Sequence, residues 1–189
     1  MKKIIKSFAI AMALVCVPMM SYARVDVNFQ GHVDLSADFT SKLGGPALDA
    51  VAGARITDYF FAGVGLGYHT LMGDTKYTVG KYTAADVFVY NHYLPVFANL
   101  KGYYPMGSLA PYVDLSLGGL VGLKSLVTIN NNTTESSNRD ADGLYFRIGL
   151  GIDWNRFNFG GGYQLYSQTA ANDVTANTHM GYFKIGYRF

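Results

Sequence analysis

Charged residues are scarce in this chain, at 15% of its 189 residues, against about 25% in an average soluble domain. Proline and cysteine are also rare, with five copies and one, whereas glycine reaches 22 and aromatic residues make up 15%. Because half of the residues are nonetheless hydrophobic, the composition excludes a disordered chain, a collagen and a coiled coil. The length fits one domain of ordinary size or one membrane barrel.

The first 23 residues are predicted to form a secretory signal peptide. Three lysines at positions 2, 3 and 6 accompany an apolar stretch over 4–20, and small residues at 21 and 23 form a cleavage site. Cleavage after Ala23 leaves residues 24–189 as a single mature domain. A lipoprotein signal at Cys16 is the weaker alternative, because Val15 stands where lipoprotein processing expects a small residue.

Removal of the signal peptide changes what the charge implies. Three of the 15 basic residues leave with it, so 12 basic residues face 13 acidic ones and the formal charge falls from +2 to −1. Nucleic-acid binding therefore loses its electrostatic basis. The mature chain keeps no cysteine for a disulfide. It also lacks the run of about 18 apolar residues that a transmembrane helix needs, so it would cross a membrane only as strands.

Apolar and polar residues alternate with a period of two. From Val25 to Phe39 every odd position is apolar or glycine and every even position is polar, which is typical of a long strand with two unlike faces. Seven further segments follow the same pattern, although the first half of the fourth strand is ambiguous. The sequence thus predicts an all-β fold with eight strands, over 25–39, 48–56, 60–70, 88–104, 111–123, 144–154, 157–166 and 179–189.

The predicted connections between these strands alternate in length. Those over 57–59, 105–110 and 155–156 are short, whereas those over 40–46, 71–86, 124–143 and 168–178 are longer and polar. An even number of antiparallel strands with short turns at one end and long loops at the other is typical of outer-membrane barrels.

Alternation alone does not decide which face lies inside, because a soluble barrel is apolar inside and a membrane barrel is apolar outside. Three features favour the membrane barrel over a soluble periplasmic one. Few charges are available for a soluble coat, the polar face is rich in glycine as a narrow lumen requires, and aromatic residues of the apolar face cluster beside the short turns. This predicted periplasmic girdle consists of Phe60, Tyr104, Trp154, Phe157 and Phe189.

The whole of 24–189 resembles the small outer-membrane β-barrels of the OmpA/OmpX type, a group that includes porin-family proteins. The eight alternating strands carry the resemblance, together with the ending Lys184-Ile-Gly-Tyr-Arg-Phe189. The resemblance implies an eight-stranded antiparallel up-and-down transmembrane barrel in the outer membrane of a Gram-negative bacterium. It also implies that the chain end is a signal for barrel assembly, with Gly186, Tyr187 and Phe189 as its residues.

Charged residues of the polar face are predicted to line the lumen. Acids and bases nearly cancel, and unpaired charges in a narrow lumen would be costly, so we expect a ladder of ion pairs that plugs the barrel. A thin ion pathway, a gate or a proton relay remains the alternative. The acids are Asp26, Asp34, Asp38, Asp49, Asp114 and Asp153, and the bases are Arg55, Lys101, Arg147, Lys184 and Arg188.

Other residue patterns give little sign of chemistry. The four histidines form no HxH or HExxH motif, so no metal or cofactor is expected. His179 is the histidine that clearly falls on the apolar face, but no serine pairs with it and no GxSxG motif occurs. Ser116 lies in a sequence that only looks similar, His69 is expected to be a hydrogen-bonding lumen residue, and the glycines at 63–67 fit barrel packing better than nucleotide binding.

A non-enzymatic structural or surface-interaction role is therefore predicted. The polar loops, above all 124–143 and 71–86, would offer a surface to an extracellular ligand. A narrow channel for small solutes is the alternative, and a lipid-modifying enzyme is a weaker one. The expected partners are outer-membrane lipid, lipopolysaccharide and the barrel assembly machinery, with no nucleic acid, and the chain is expected to act as a monomer.

Overall fold

The computed structural model describes residues 27–75, 78–79, 82–83, 87–129, 132–136, 143–169 and 175–189. The predicted signal peptide, its cleavage site and Asp26 lie outside these described residues. Within them, no helix is long and apolar enough to cross a membrane.

Eight long strands form a closed antiparallel barrel. Each strand pairs with its neighbours in the chain, and the first strand pairs with the last, which closes the ring. The fold class predicted from the alternating sequence is therefore confirmed. The strands are β1 (Val27–Phe39), β2 (Leu43–Ile56), β3 (Phe60–Thr75), β4 (Val87–Tyr103), β5 (Leu109–Ile129), β6 (Gly143–Trp154), β7 (Phe157–Thr169) and β8 (Thr175–Arg188).

The strand registers fix the width of the barrel. The direct partner of Val33 on β8 is Tyr187. The series of cross-strand partners that starts at Val33 and passes through β2 to β7 ends instead at Asn177, ten residues from Tyr187. The intermediate partners are Ala50, Leu66, Val96, Gly119, Leu144 and Ser167. Such a stagger over eight strands requires a tilt of roughly 40° and leaves an interior that side chains can just fill.

The polar face of each strand points into the barrel and the apolar face points outward. On β1, Asp34, Ser36 and Asp38 are buried, whereas Leu35 between them is 55% exposed. The same alternation continues around the ring. This arrangement is the reverse of a soluble barrel, which buries its apolar face, and it matches the orientation expected of a membrane barrel.

The three short turns lie at the end of the barrel that also holds Val27 and Phe189. Each contains one residue with positive φ: Thr57 at 125°, Gly107 at 67° and Asn155 at 54°. Asparagine and glycine accept this region readily, whereas a β-branched residue such as threonine rarely does. The turns over 57–59 and 155–156 have the predicted bounds, whereas the middle turn covers 104–108 instead of the predicted 105–110.

The connection between β1 and β2 is shorter than predicted. Only Thr40–Lys42 separates the two strands, and the Thr40 hydroxyl accepts hydrogen bonds from the backbone N–H groups of Lys42 and Leu43. The prediction of a loop over 40–46 is wrong in its length. Gly44, Gly45 and Pro46 are residue types that are typical of turns, and the prediction therefore extends the loop over them. In the barrel all three pair with β1, and the ladder from β2 to β3 is interrupted at Gly45 and Pro46, where proline has no N–H to donate.

Strands also continue into the predicted long loops. β3 reaches Thr75, and β5 reaches Ile129, well past the predicted end at Leu123. A short strand over Asn132–Ser136 folds back and pairs with the end of β5. The prediction of a loop over 124–143 is therefore wrong for its first half, because Val127, Thr128 and Ile129 are residues that favour strands.

Candidate functional site

Glycines create the space that the large lumen side chains occupy. A Cβ atom built on Gly65 would overlap the ring of Phe97, and one on Gly151 would overlap the ring of Tyr112. The same holds for Gly149 and the hydroxyl of Tyr182. The interior of the barrel is therefore filled by large side chains that lean over glycines of neighbouring strands, as Phe97 does over its cross-strand partner Gly65 and Tyr112 over its partner Gly151.

Arg147 is the centre of one buried cluster in the lumen. Its guanidinium donates to a carboxylate oxygen of Asp49 at 2.7 Å and, through two nitrogens, to the amide oxygen of Gln164 at 3.1 and 2.9 Å. The carboxylate of Asp38 lies 4.0 Å away. The guanidinium carbon also lies 4.3 Å from the ring centre of Tyr182. Since Arg147 is only 2% exposed, this cluster holds a fully desolvated charge with several partners.

His69 joins the two carboxylates of the same cluster. Its Nδ1 lies 3.1 Å from Asp38 and its Nε2 lies 2.8 Å from Asp49. The hydroxyl of Tyr166 also contacts Nδ1. His69 is completely buried, so it is a hydrogen-bonding lumen residue, as its position in the alternation predicts.

Lys184 is the centre of a second cluster, nearer the short turns. Its ammonium group bridges the carboxylates of Asp34, at 3.1 Å, and Asp114, at 2.5 Å. The amide of Asn158 donates to Asp34, and the amide of Asn99 donates to Asp114. Both carboxylates are thus paired with a cation and with a neutral donor, which is what stable burial of charge requires.

Aromatic and apolar side chains cover the Arg147 cluster on the side of the long loops. The rings of Tyr145 and Tyr166 have centres 5.7 Å apart, and that of Tyr93 lies 5.4 Å from Tyr166. Leu71, Leu120 and Met180 are buried with these rings. These six residues, here called the lumen cap, close the barrel above the charges.

The lumen is open at the opposite end. A cavity of about 840 Å³ lies among the short turns, with Arg55, Asp153 and Arg188 in its lining. Arg188 donates to the carboxylate of Asp153 at 2.8 Å, and the Arg55 guanidinium lies 4.6 Å from the ring centre of Tyr103. Arg188 keeps 24% of its side chain exposed, whereas Asp153 is only 5% exposed, so Arg188 is the partly solvated member of this pair.

The structure separates the predicted lumen charges into groups. Asp34, Asp114 and Lys184 form one cluster and Asp49 and Arg147 another. Lys101 is buried, with its ammonium group 4.9 Å from the ring centre of Tyr112. Arg55, Asp153 and Arg188 line the open mouth, and Asp26 lies outside the described residues. Their role as a plug remains a prediction.

The lumen cap is not predicted from the sequence. Leu71 falls in a predicted loop, and an apolar residue on the polar face is not expected. The signal was nevertheless available, since Leu71 has the same parity as His69 and Leu120 the same parity as Ser116.

The residues considered for other chemistry occupy structural positions. Ser116 is buried in the lumen and accepts a hydrogen bond from Asn99 at 2.9 Å. Gly63 and Gly65 lie in β3 beneath the rings of Phe61 and Phe97. In the part of the chain that the structure describes, no cluster of three or more potential ligands could hold a metal ion.

The outer surface carries the aromatic residues that sequence analysis placed in a periplasmic girdle. All five are exposed and lie at the short-turn end of the barrel. Phe189 also exchanges two backbone hydrogen bonds with Gly31, each 3.0 Å long, and its ring lies over that glycine. Phe189 thereby extends the seam between β1 and β8 by one more residue pair.

Comparison with known proteins finds similar solved structures but no match in sequence. No family model matches the chain, and no curated protein matches it in sequence. Similar solved structures include Neisserial surface protein A (15% identity, 86% of this chain and 95% of that chain, TM-score 0.47). They also include Ail of Yersinia pestis (14%, 88% and 100%, TM-score 0.44) and the outer membrane enzyme PagL (12%, 85% and 98%, TM-score 0.42). The barrel itself has the eight-stranded closed architecture that the sequence resemblance implies, and an architecture alone assigns no function.

Proposed function

We propose that this chain is a non-enzymatic barrel of the bacterial outer membrane, with a plugged polar lumen and loops that are available to an extracellular ligand. The single observation that carries the proposal is the filled interior: two buried charge clusters and the lumen cap occupy the space that a channel would need. A structural or surface-interaction role is the function that such an interior supports best.

The outer surface supports insertion into a membrane. Leucine, valine, isoleucine and phenylalanine face outward along all eight strands, and closure leaves no unpaired strand edge in the ring, as the hydrocarbon region requires. Export would depend on the predicted signal peptide, and insertion on the predicted assembly signal at Gly186, Tyr187 and Phe189. Lipopolysaccharide, outer-membrane lipid and the assembly machinery would be its partners, and the barrel would be a monomer.

Conductance in planar lipid bilayers tests the plug. The unmodified protein should show no unit conductance of its own. The double variant Tyr145→Ala/Tyr166→Ala removes two of the three tyrosine rings of the lumen cap and should produce measurable conductance steps. Phe183→Ala is the matched control, because it removes an aromatic ring from the outer face, where Phe183 is 68% exposed. Steady conductance of the unmodified protein would instead identify a narrow channel.

Accessibility of inserted tags tests the location and topology. An epitope inserted within 137–142 should be labelled on intact cells, whereas the same epitope inserted at Gly107 should require permeabilisation. Labelling of both sites only after permeabilisation would contradict the proposed orientation. Fractionation of the unmodified protein with the inner membrane or the soluble periplasm would contradict the proposed location.

A further inference from the structure

Two tyrosine–histidine pairs lie on the outer wall of the barrel. The hydroxyl of Tyr68 on β3 lies 2.5 Å from Nδ1 of His92 on β4, and the hydroxyl of Tyr163 on β7 lies 2.5 Å from Nδ1 of His179 on β8. These strand pairs are four strands apart in a ring of eight. The two pairs therefore lie on opposite sides of the barrel. Of the two histidines, the alternation in the sequence places only His179 clearly on the apolar face.

Both pairs have the same geometry. His179 pairs across strands with Leu165, and Tyr163 lies two residues nearer the short-turn end on the same strand. His92 pairs with Thr70, and Tyr68 again lies two residues nearer that end. Each tyrosine thus reaches diagonally up the wall to the histidine above it, a distance that long aromatic side chains span.

The histidines lie where the outer edge of an apolar band would fall. On β8, His179 is ten residues from Phe189 of the girdle, and on β4 His92 is twelve residues from Tyr104. At about 3.3 Å per residue and a tilt of roughly 40°, these separations correspond to about 25 and 30 Å along the barrel axis. The apolar band of an outer-membrane barrel is about 25 Å tall, so the histidine rings lie at the level of the outer headgroups.

Each pair keeps one polar hydrogen for a partner outside the barrel. A neutral histidine and a tyrosine together carry two polar hydrogens, and the bond within the pair uses one. If the hydroxyl donates to Nδ1, the N–H at Nε2 remains; if Nδ1 donates, the hydroxyl hydrogen remains. Neither His92 nor His179 has another hydrogen-bond partner in the described part of the chain.

We propose that these two pairs bind phosphate groups of outer-leaflet lipid headgroups, an inference that rests on the proposed outer-membrane location. A polar hydrogen at a lipid-facing site needs an acceptor, and an anionic phosphate oxygen forms a shorter and stronger hydrogen bond than a neutral one. No carboxylate among the side chains that the structure describes faces outward near either pair, so none would repel the phosphate. The tyrosine ring below occupies the apolar band, while its hydroxyl orients the imidazole.

Native mass spectrometry of the full-length mature protein tests this site. The protein is released from nanodiscs that contain lipid A, phosphatidylglycerol or the phosphate-free digalactosyldiacylglycerol, and the lipids that remain bound are counted. The unmodified protein should retain phosphate-bearing lipid. The double variant His92→Phe/His179→Phe should retain it about tenfold less at each of the two sites, since loss of one hydrogen bond to a charged group corresponds to roughly tenfold in affinity.

Tyr59→Phe is the matched control, because Tyr59 is a tyrosine that is 55% exposed in the short turn over 57–59, at the opposite end of the barrel. This variant should retain lipid as the unmodified protein does. Retention of lipid A alone would identify lipopolysaccharide as the source of the phosphate, and retention of both phosphate lipids would identify any phosphorylated headgroup. Equal retention of the galactolipid, or unchanged retention by the double variant, would overturn the proposal.

A spectroscopic measurement covers the case in which the double variant does not fold. In the unmodified protein, the ¹⁵N shifts of the His92 and His179 side chains should change when phosphatidylglycerol replaces the galactolipid, whereas that of buried His32 should not. Equal shifts in the two lipids would overturn the proposal. Since both measurements use reconstituted protein, their outcome is independent of the tag experiment that tests the cellular location.

Discussion

Arginine–aspartate ion pairs occur at both ends of the lumen, but they differ in their access to solvent. Under the lumen cap, Arg147 is almost completely buried and its guanidinium contacts Asp49 and Gln164. At the open mouth, Arg188 is 24% exposed beside Asp153. The position of a charged residue in the alternating pattern therefore does not give its contribution to stability. Access of solvent decides how much an ion pair contributes to the free energy of folding.

Loss of Arg147 should have the largest effect. Arg147→Ala leaves the carboxylate of Asp49 buried without its guanidinium, and removal of one partner of a buried pair costs about 3–5 kcal/mol. The midpoint of urea unfolding in detergent should fall accordingly. A second change, Asp49→Asn, removes the stranded charge and should recover about 1–3 kcal/mol through the coupling of the two sites. An unchanged midpoint for the single variant would mean that water reaches this cluster.

Crowding of the closed region should have an intermediate effect. Gly65→Val places a side chain where the ring of Phe97 already lies, and overpacking of this kind costs about 1–3 kcal/mol. Gly119→Val is the matched control, because nothing lies within 4 Å of the added Cβ. Equal thermal unfolding midpoints for the two variants, measured by heat-dependent migration in gels, would show that the Phe97 ring can move aside to make room for the added side chain.

Loss of Arg188 should have the smallest effect. Arg188 is partly exposed, and both it and the more buried Asp153 line the cavity among the short turns. Water can therefore solvate the carboxylate that the variant leaves, and solvated pairs contribute about 1 kcal/mol or less. Arg188→Ala should therefore shift the urea midpoint far less than Arg147→Ala, and the shift should shrink further in high salt because the charges are screened. A loss as large as that of Arg147→Ala would remove the distinction between the two ends of the lumen.

Sequence patterns predict the wall of this barrel better than its contents. The fifteen-residue alternation from Val25 to Phe39 already specifies a two-faced strand, because a period of two has few other structural solutions. Parity also assigns Asp34, Asp49 and Arg147 to the lumen. It cannot pair them, since Arg147 meets Asp49 only because the ring closes with one particular stagger. Strand ends such as Thr75 and Ile129 escape prediction because polar strands and polar loops have similar compositions.

Because the strands are staggered by ten residues around the ring, the buried ion pairs form only when the strands are in the correct register. Lys184 and Asp34 are 150 residues apart in the chain, and Arg147 and Asp49 are 98 apart, so neither contact can form before distant strands come together. A slip of one residue at the seam between β1 and β8 would turn every side chain of one strand to the wrong face. A slip of two residues would keep the faces but move Lys184 away from Asp34. Correct pairing of these charges thus distinguishes the closed native barrel from its misregistered alternatives, and Lys184 meets Asp34 only where the non-local seam between β1 and β8 is in register.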